Sequence, residues 1–297
     1  MVISRQGLRS SFEGTEIGIR GGTGALVAPE CQPAWTFRLP SLVMRNYRCP
    51  RGQVTLERVA FLFQEIMTVA RNATVKVPDY GVFRPEEEGF TDRSITIVYP
   101  RRSPMPIAFS APLVVPYLDG GQSIPVYHTG IAMVARQYRG RGILNTLYAL
   151  PFFRYCLGRK LKGFYVTNVS QVPAALGIIA DTIGNLYPHY KKRGAPNSKQ
   201  LGVARWLLAN YHRQFGVGDD ATFDEQDFII RNSYTGGSDN LKKAYENCQR
   251  YRDERCNEMC RKMLDYDRGD DFLQVGWVDS LSLLRAGWRV IRTIAGL

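Results

Sequence analysis

One stretch limits what this chain can become more than any other: Ile131-Ala-Met-Val-Ala-Arg-Gln-Tyr-Arg-Gly-Arg-Gly-Ile-Leu-Asn-Thr-Leu-Tyr148. An apolar strand runs into a turn with two glycines, and the turn opens directly into an apolar helix. Such a turn is an anion site. Gly140 and Gly142 let the backbone approach a ligand closely, and the unpaired N–H groups of the helix's first turn point at it. Arg136, Arg139 and Arg141 add positive charge beside them. Dinucleotide-binding and P-loop turns also carry paired glycines. Here, however, no third glycine completes GxGxxG, and no Gly-Lys-Ser/Thr follows.

The surrounding pattern places this turn in a mixed fold. A short strand is expected near Leu42 to Tyr47. Thr55 to Arg71 has helical spacing, with Leu56, Val59, Ala60, Phe63, Ile66, Met67 and Ala70 on one face. Three strand-like runs follow, Ser94 to Tyr99, Pro106 to Tyr117 and Val126 to Ala135, rich in β-branched and aromatic residues. The spacing then predicts a helix over Ile143 to Leu157, kinked at Pro151, a strand over Gly163 to Val169, and a helix over Ala174 to Tyr187. Beyond the basic loop Lys191 to Ser198, Gly202 to Phe215 reads as helix and Asp227 to Tyr234 as strand. Ser238 to Leu264 reads as one long helix, and Phe272 to Val278 as a final strand. This order predicts an α+β fold, a mostly antiparallel central sheet flanked by helices.

Gln137-Tyr138-Arg139-Gly140-Arg141-Gly142 resembles the Q/R-x-x-G-x-G/A signature of the GNAT superfamily, the general-control N-acetyltransferase relatives. The resemblance is specific over about residues 130 to 190 and implies an N-acyltransferase whose co-substrate is acyl-CoA. By that resemblance the turn holds the pyrophosphate of coenzyme A and the preceding strand flanks the pantetheine arm. The next strand, Phe164 to Ser170, is implied to splay away and leave a slot for the thioester. The implied donor-binding residues are Val134, Ala135, Arg136, Gln137, Arg139, Gly140, Arg141, Gly142, Asn145 and Asn168. His128 occupies a strand position where the family often places a base, and its side-chain class titrates near neutral pH. Tyr187 or Tyr190 is implied to protonate the leaving thiolate, with His189 as a substitute. Backbone N–H groups of the strand would polarise the thioester carbonyl.

Charge and composition bear on partners. The formal net charge of +12 suits an acidic acyl carrier protein, an anionic membrane surface or nucleic acid. An intact turn and the lack of any nucleic-acid motif weigh against the last, although a non-catalytic basic binding module is the reading outside the enzymes. The acceptor is an amine of unspecified kind. Acetyl is the default acyl group, and a long chain from acyl-CoA or carrier protein is the alternative. Six cysteines without a CxxC pair, together with three histidines, give no zinc spacing, so no metal is expected. Cys248, Cys256 and Cys260 share one helix face and are read as packing. No signal peptide or apolar span is evident, which makes a cytoplasmic protein, peripheral to a membrane at most, the expectation. The expected organisation is a flexible arm over 1–38, an acyltransferase domain over 39–235 and a helical extension over 236–297. In its last segment, Leu281, Leu284, Trp288 and Ile291 form an apolar seam beside Arg285, Arg289 and Arg292, read as a helix docked on the protein by that seam with a solvated basic edge, or alternatively as one lying on anionic lipid or gripping an acidic acyl carrier protein.

Overall fold

Runs of alternating apolar residues build one sheet, and every other element is placed by it. In the computed structural model, which describes residues 32–159, 162–235, 239–279, 281–285 and 287–288, the strands are ten. They are β1 (Trp35–Arg38), β2 (Leu42–Cys49), β3 (Arg93–Pro100), β4 (Ala108–Asp119), β5 (Gln122–Val134), β6 (Phe164–Ser170), β7 (Asn185–Tyr187), β8 (Thr222–Asp224), β9 (Ile229–Arg231) and β10 (Asp271–Val278). Their order is β1-β2-β3-β4-β5-β6-β10-β9-β8, with β7 also paired to β10. All pairings are antiparallel except that of β5 with β6. Helices α1 (Leu56–Ala73), α2 (Glu87–Phe90), α3 (Ile143–Gly158), α4 (Pro173–Thr182), α5 (Ser198–Tyr211) and α6 (Glu254–Met263) flank the sheet. The fold is thus the mixed α+β class with a mostly antiparallel sheet. The expected arm lies outside the described residues up to position 31, as does the tail from 289.

Side chains alternate across a strand, so the two faces of β6 can be told apart. Tyr165 and Val169 join Leu273 and Val275 of β10 in the core under α1 and α5, with Leu62, Ile66 and Leu207. Phe164 and Val166 face the other way, against Phe152 and Cys156 of α3 and Ala180 of α4. Each large apolar side chain buried here stabilises the fold by about 1.5–3 kcal/mol. Helix α1 starts where Thr55 accepts from the Arg58 N–H. Its buried face is Val59, Leu62, Ile66, Val69, Ala70 and Ala73, rotated from the expected one, so that Leu56 is exposed.

Several expectations are corrected. The helix begun at Ala174 stops at Thr182, and Asn185–Tyr187 forms β7 instead, because β10 offers it a pairing edge (Val275 opposite Tyr187) that local sequence does not reveal. The long helix over 238–264 is reduced to α6, capped by Asp253. Upstream, the backbone finds other partners: Gln249 O accepts from Ala174 N, and the Asn257 side chain bonds both Tyr251 N and Tyr251 O. Helix α5 begins earlier than expected, at an Asn197–Gln200 capping box, and the expected strand over 227–234 is the short β9. Strand β10, within the expected extension, sits inside the sheet between β6 and β9. In the described part of the tail, Leu281, Leu284 and Trp288 are exposed, so the apolar seam is not the face packed on the protein. Cys248, Cys256 and Cys260 are free, buried thiols packed with Leu176 and Phe272.

Candidate active site

The site is an opening in the sheet. Strands β5 and β6 pair only where Val126–His128 meet Tyr165–Thr167, yet β5 continues to Val134 and β6 to Ser170. Past that pairing the two diverge. On its other edge β5 carries a bulge, with Thr129 and Gly130 opposing the single residue Pro112 between the Leu113–His128 and Ala111–Ile131 pairs. Gly130 has φ +63°, and a Cβ there would lie 2.2 Å from the Ala111 carbonyl oxygen, so glycine is required. Arg93, fully buried, donates to that same Ala111 oxygen (3.0 Å), to Gly89 O (2.7 Å) and to Gln214 O (2.6 Å), pinning β4 beside the bulge.

A cleft of about 1170 Å³ runs through this opening. One end is the glycine turn. Gly140 and Gly142 have φ of +75° and +71°, and nothing lies within 4 Å of where their Cβ atoms would be. The glycines are therefore demanded by backbone handedness, and the space over them is open. Gly142 is the N-cap of α3 and supplies no side-chain cap, which leaves the first-turn N–H groups facing the cleft. Arg139 donates to Ala73 O (2.6 Å) at the C-terminus of α1 and to Val134 O (3.2 Å), and Arg136 reaches Ala73 O at 3.5 Å. These bonds hold the guanidinium groups beside the turn.

Of the expected residues, Val134, Arg136, Arg139, Gly140, Gly142, Asn145, Asn168 and His128 line the cleft. Asn168 is held on the α3 side, its Oδ1 accepting from the Thr129 hydroxyl (2.8 Å) and its Nδ2 donating to Gln274 (3.1 Å). Three others lie beside the cleft without lining it. Ala135 is buried with its N–H on Ile107 O, Gln137 is exposed, and Arg141 covers the Tyr138 ring at 5.3 Å. The two tyrosines are elsewhere. Tyr187 donates to Gln226 O (2.6 Å) and packs on Phe228, while Tyr190 donates to Asp181 (2.7 Å). That hydroxyl is held on the Asp181 carboxylate and Tyr190 does not line the cleft, so it is not placed to protonate a thiolate there. His128 is in the cleft wall but unsuited to the expected role of base. Burial, with the Arg93 charge adding to it, drives its pKa down to about 3, its Nδ1 lies 3.0 Å from Thr167 Oγ1, and its ring packs at a tilt against Phe215, centroids 4.5 Å apart.

Residues the sequence did not single out complete the walls. Tyr148 of α3 lines the cleft on the Asn168 side, its pKa raised to about 12 by burial and by the nearby Tyr80. On the opposite side Asp271, Tyr234 and Gln171 close the far end. Tyr148 was legible as part of the helix after the glycine turn. Asp271 had no local signal, because only the insertion of β10 beside β6 brings it to the cleft. A second chamber of about 620 Å³ lies between α3 and α4, sharing Asn145, Tyr148 and Ile178 with the cleft and lined deeper by Tyr127, Phe152 and Val166. Among the described residues no group of three or more His, Cys, Asp or Glu side chains is arranged to hold a metal, and no helix is long and apolar enough to cross a membrane.

No protein-family profile matches the chain, and no curated protein matches it. Solved structures do. One is a variant of the AtaT toxin bound to the C-terminus of the antitoxin AtaR and acetyl-CoA, at 19% identity and TM-score 0.21, covering 25% of this chain and 49% of that one. This chain thus spans about half the length of that AtaT chain. Another is ribosomal-protein-S5-alanine acetyltransferase from Vibrio fischeri, at 11% identity and TM-score 0.35, covering 83% and 98%. A third is a probable N-acyltransferase from Enterococcus faecalis, at 12% identity and TM-score 0.33, covering 58% and 45%. Two of these proteins are named as acetyl- or acyltransferases, and the other holds acetyl-CoA.

Proposed function

We propose that this chain is an N-acyltransferase that takes an acyl group from a pantetheine thioester, acyl-CoA in the first instance, to an amine. The observation that carries the reading is the opening between the parallel strands β5 and β6, which ends at a helix N-terminus capped by left-handed Gly142. A pyrophosphate suits the first-turn N–H groups of α3, the glycine backbone, Arg136 and Arg139. An extended arm fits along Val134 and past Asn168, and the bulge at Thr129–Gly130 presents backbone next to where a carbonyl would lie. In the reaction the amine lone pair attacks the thioester carbon and the carbonyl electrons move to oxygen. Collapse of that adduct then expels the thiolate. Tyr148 is the hydroxyl on the donor side of the opening and the candidate to protonate the thiolate, in place of Tyr187 and Tyr190.

A longer acyl group is a second reading, favoured by the chamber between α3 and α4 that opens onto the cleft at Tyr148 and Ile178. Calorimetry with acetyl-CoA and palmitoyl-CoA, on the native protein and on a Gly140→Val/Gly142→Val double variant, tests both. Each valine forces a β-branched residue into the left-handed region, a strain of about 1–2 kcal/mol per position, and places a side chain over the turn. Thioester binding that the double variant loses supports the site, and the tighter ligand selects the acyl length. If neither thioester binds the native protein, acyl-CoA is not the donor and acyl carrier protein is tested next. Salt-dependent nucleic-acid binding with neither donor would favour the binding-module reading.

A further inference from the structure

We propose that Asp271, on the face of the sheet opposite Asn168, receives the acceptor as a cationic amine and takes the proton it loses on acylation. The inference rests on the acyltransferase reading and adds to it a substrate charge and a base.

Register and alternation place the group. Phe272 pairs with Ser170, so Asp271 lies beside Gln171 at the end of β6 that faces the opening. Along β10, Asp271 shares its face with Leu273 and Val275, and these pair with Val169 and Thr167 of β6. Thr167 in turn meets His128. Asn168 and Gln274 point to the opposite face, toward α3 and α4. A donor lying against α3 therefore has its thioester approached through the opening from the side that holds Asp271.

The charge pattern says what approaches. Among the described residues lining the cleft, Asp271 is the single acid, with Lys76, Arg136, Arg139 and Lys243 the basic ones. Asp271 is 1% exposed, yet no described cation pairs with it. The nearby arginines serve its neighbour: Arg268 bonds both oxygens of Asp270 (2.7 and 2.6 Å), and Arg231 reaches it at 3.4 Å. Asp271 has hydroxyls instead. Tyr234 donates to Oδ1 at 2.8 Å, the Ser233 side chain also bonds it, and Gln171 donates to the Tyr234 oxygen at 2.8 Å, which fixes that hydroxyl's direction. Other titratable or charged groups near it are Asp270, the residue just before β10, Cys248 from the loop before α6, and Lys243 at the rim. Burial, with the Asp270 charge adding to it, raises the Asp271 pKa to about 7 against the pull of Ser233 and Tyr234. A buried carboxyl oriented by neutral donors but lacking a counter-ion is the complement of an ammonium ligand.

The acceptor, bound as an ammonium against the carboxylate, gives up its extra proton to solvent, and its lone pair forms the C–N bond as the carbonyl electrons move to oxygen. One of the two N–H protons left on the adduct passes to Asp271, and the other stays in the amide. Re-formation of C=O breaks the C–S bond, and the thiolate is protonated, so that amine plus thioester gives amide plus thiol. Asp271 then releases its proton to solvent.

The test follows the aspartate carboxyl carbons by NMR, in the native protein and in Asp271→Asn, saturated with desulfo-CoA and titrated with n-butylammonium. One carboxyl titrating near pH 7 is expected, absent from the variant and moved down by about one unit or more by the amine, as an opposite charge within reach requires. Tyr234→Phe should keep that resonance and move its titration upward. A carboxyl that titrates near 4, or one near 7 that n-butylammonium leaves unmoved, overturns the proposal. Thiol release from acetyl-CoA with n-butylamine should fall about 10²–10⁴-fold in Asp271→Asn, with acetyl-CoA affinity unchanged and the acid limb near pH 7 gone. Wild-type rates in the variant also overturn it. Failure of acetyl-CoA to bind the native protein would instead overturn the donor reading, and would leave the response of the carboxyl to amine to be judged by itself.

Discussion

Replacing Asp271 by asparagine should change how stability depends on pH, and the direction is opposite to the usual one for an aspartate. The native pKa is raised to about 7 by burial, whereas the unfolded chain has the ordinary value of about 3.9. Below pH 4 the group is protonated in both states. From there to pH 7 the unfolded state gives up the proton and the folded state keeps it. Native stability therefore declines as pH rises, by about 1.4 kcal/mol per unit, and levels off above the folded pKa. Between pH 5 and 8 the loss from this one group sums to about 2–3 kcal/mol. Asparagine keeps the shape, accepts from Tyr234 and does not titrate, so the difference between native and variant should shift in the variant's favour by that amount. His128 has a depressed pKa and loses stability as pH falls below about 6.5. It is present in both proteins and cancels in the difference. Urea midpoints at pH 5, 6, 7 and 8, with slopes confirmed equal, measure the effect. A native-minus-variant difference that stays flat over that range would refute the argument that Asp271 is a buried carboxyl without a counter-ion.

Three other outcomes are expected. Arg93→Met should destabilise the fold by about 3–5 kcal/mol in urea denaturation, since it leaves the carbonyls of Gly89, Ala111 and Gln214 without their buried donor. Gly130→Ala should cost at least about 2 kcal/mol and depress turnover, because its Cβ meets the Ala111 oxygen and its φ is positive; an unchanged melting temperature would mean the bulge is not built as described. Tyr148→Phe should lower kcat by about 10²-fold with KM little changed, while Tyr187→Phe, whose hydroxyl serves Gln226, should leave both within about twofold.

Much of this was legible in the sequence because it is local. The glycine turn announces itself through residue types: positive φ at Gly140 and Gly142 needs glycine, and the apolar runs before and after it fix a strand and a helix. The class of fold follows from the same periodicities. What escaped depends on partners far along the chain. Asn185–Tyr187 became a strand only because β10 runs beside it, and Asp271 reached the cleft only because β10 entered the sheet next to β6. The segment before α6 has helical spacing but gives its backbone to Ala174 and Asn257. Tyr187 and Tyr190 bear the right chemistry but hang from a chain that turns away after Thr182, which no spacing rule encodes.

The departures from ordinary packing share one place. Arg93 is a fully buried cation, Asp271 a buried carboxyl without a described ion pair, His128 a histidine kept neutral, and Gly130 the bulge residue of β5. Burying the Arg93 and Asp271 charges and holding Gly130 at positive φ are costs that a regular, closed sheet would not carry. They are linked through the opening. Arg93 bonds the Ala111 carbonyl that crowds Gly130, the bulge offsets β5 so that Ile131 rather than Gly130 returns to the face of His128, and on that face the pairing of β5 with β6 ends. Beyond that end the slot begins, with Asp271 across it. The energetic cost is thus concentrated where two strands must be kept apart, and Arg93 and Gly130 account for the separation without any bound ligand. If that is their role, Gly130→Ala and Arg93→Met should weaken acetyl-CoA binding although neither residue belongs to the glycine turn. Loss of stability with full retention of donor affinity would show instead that the slot is held open by α3 and α4.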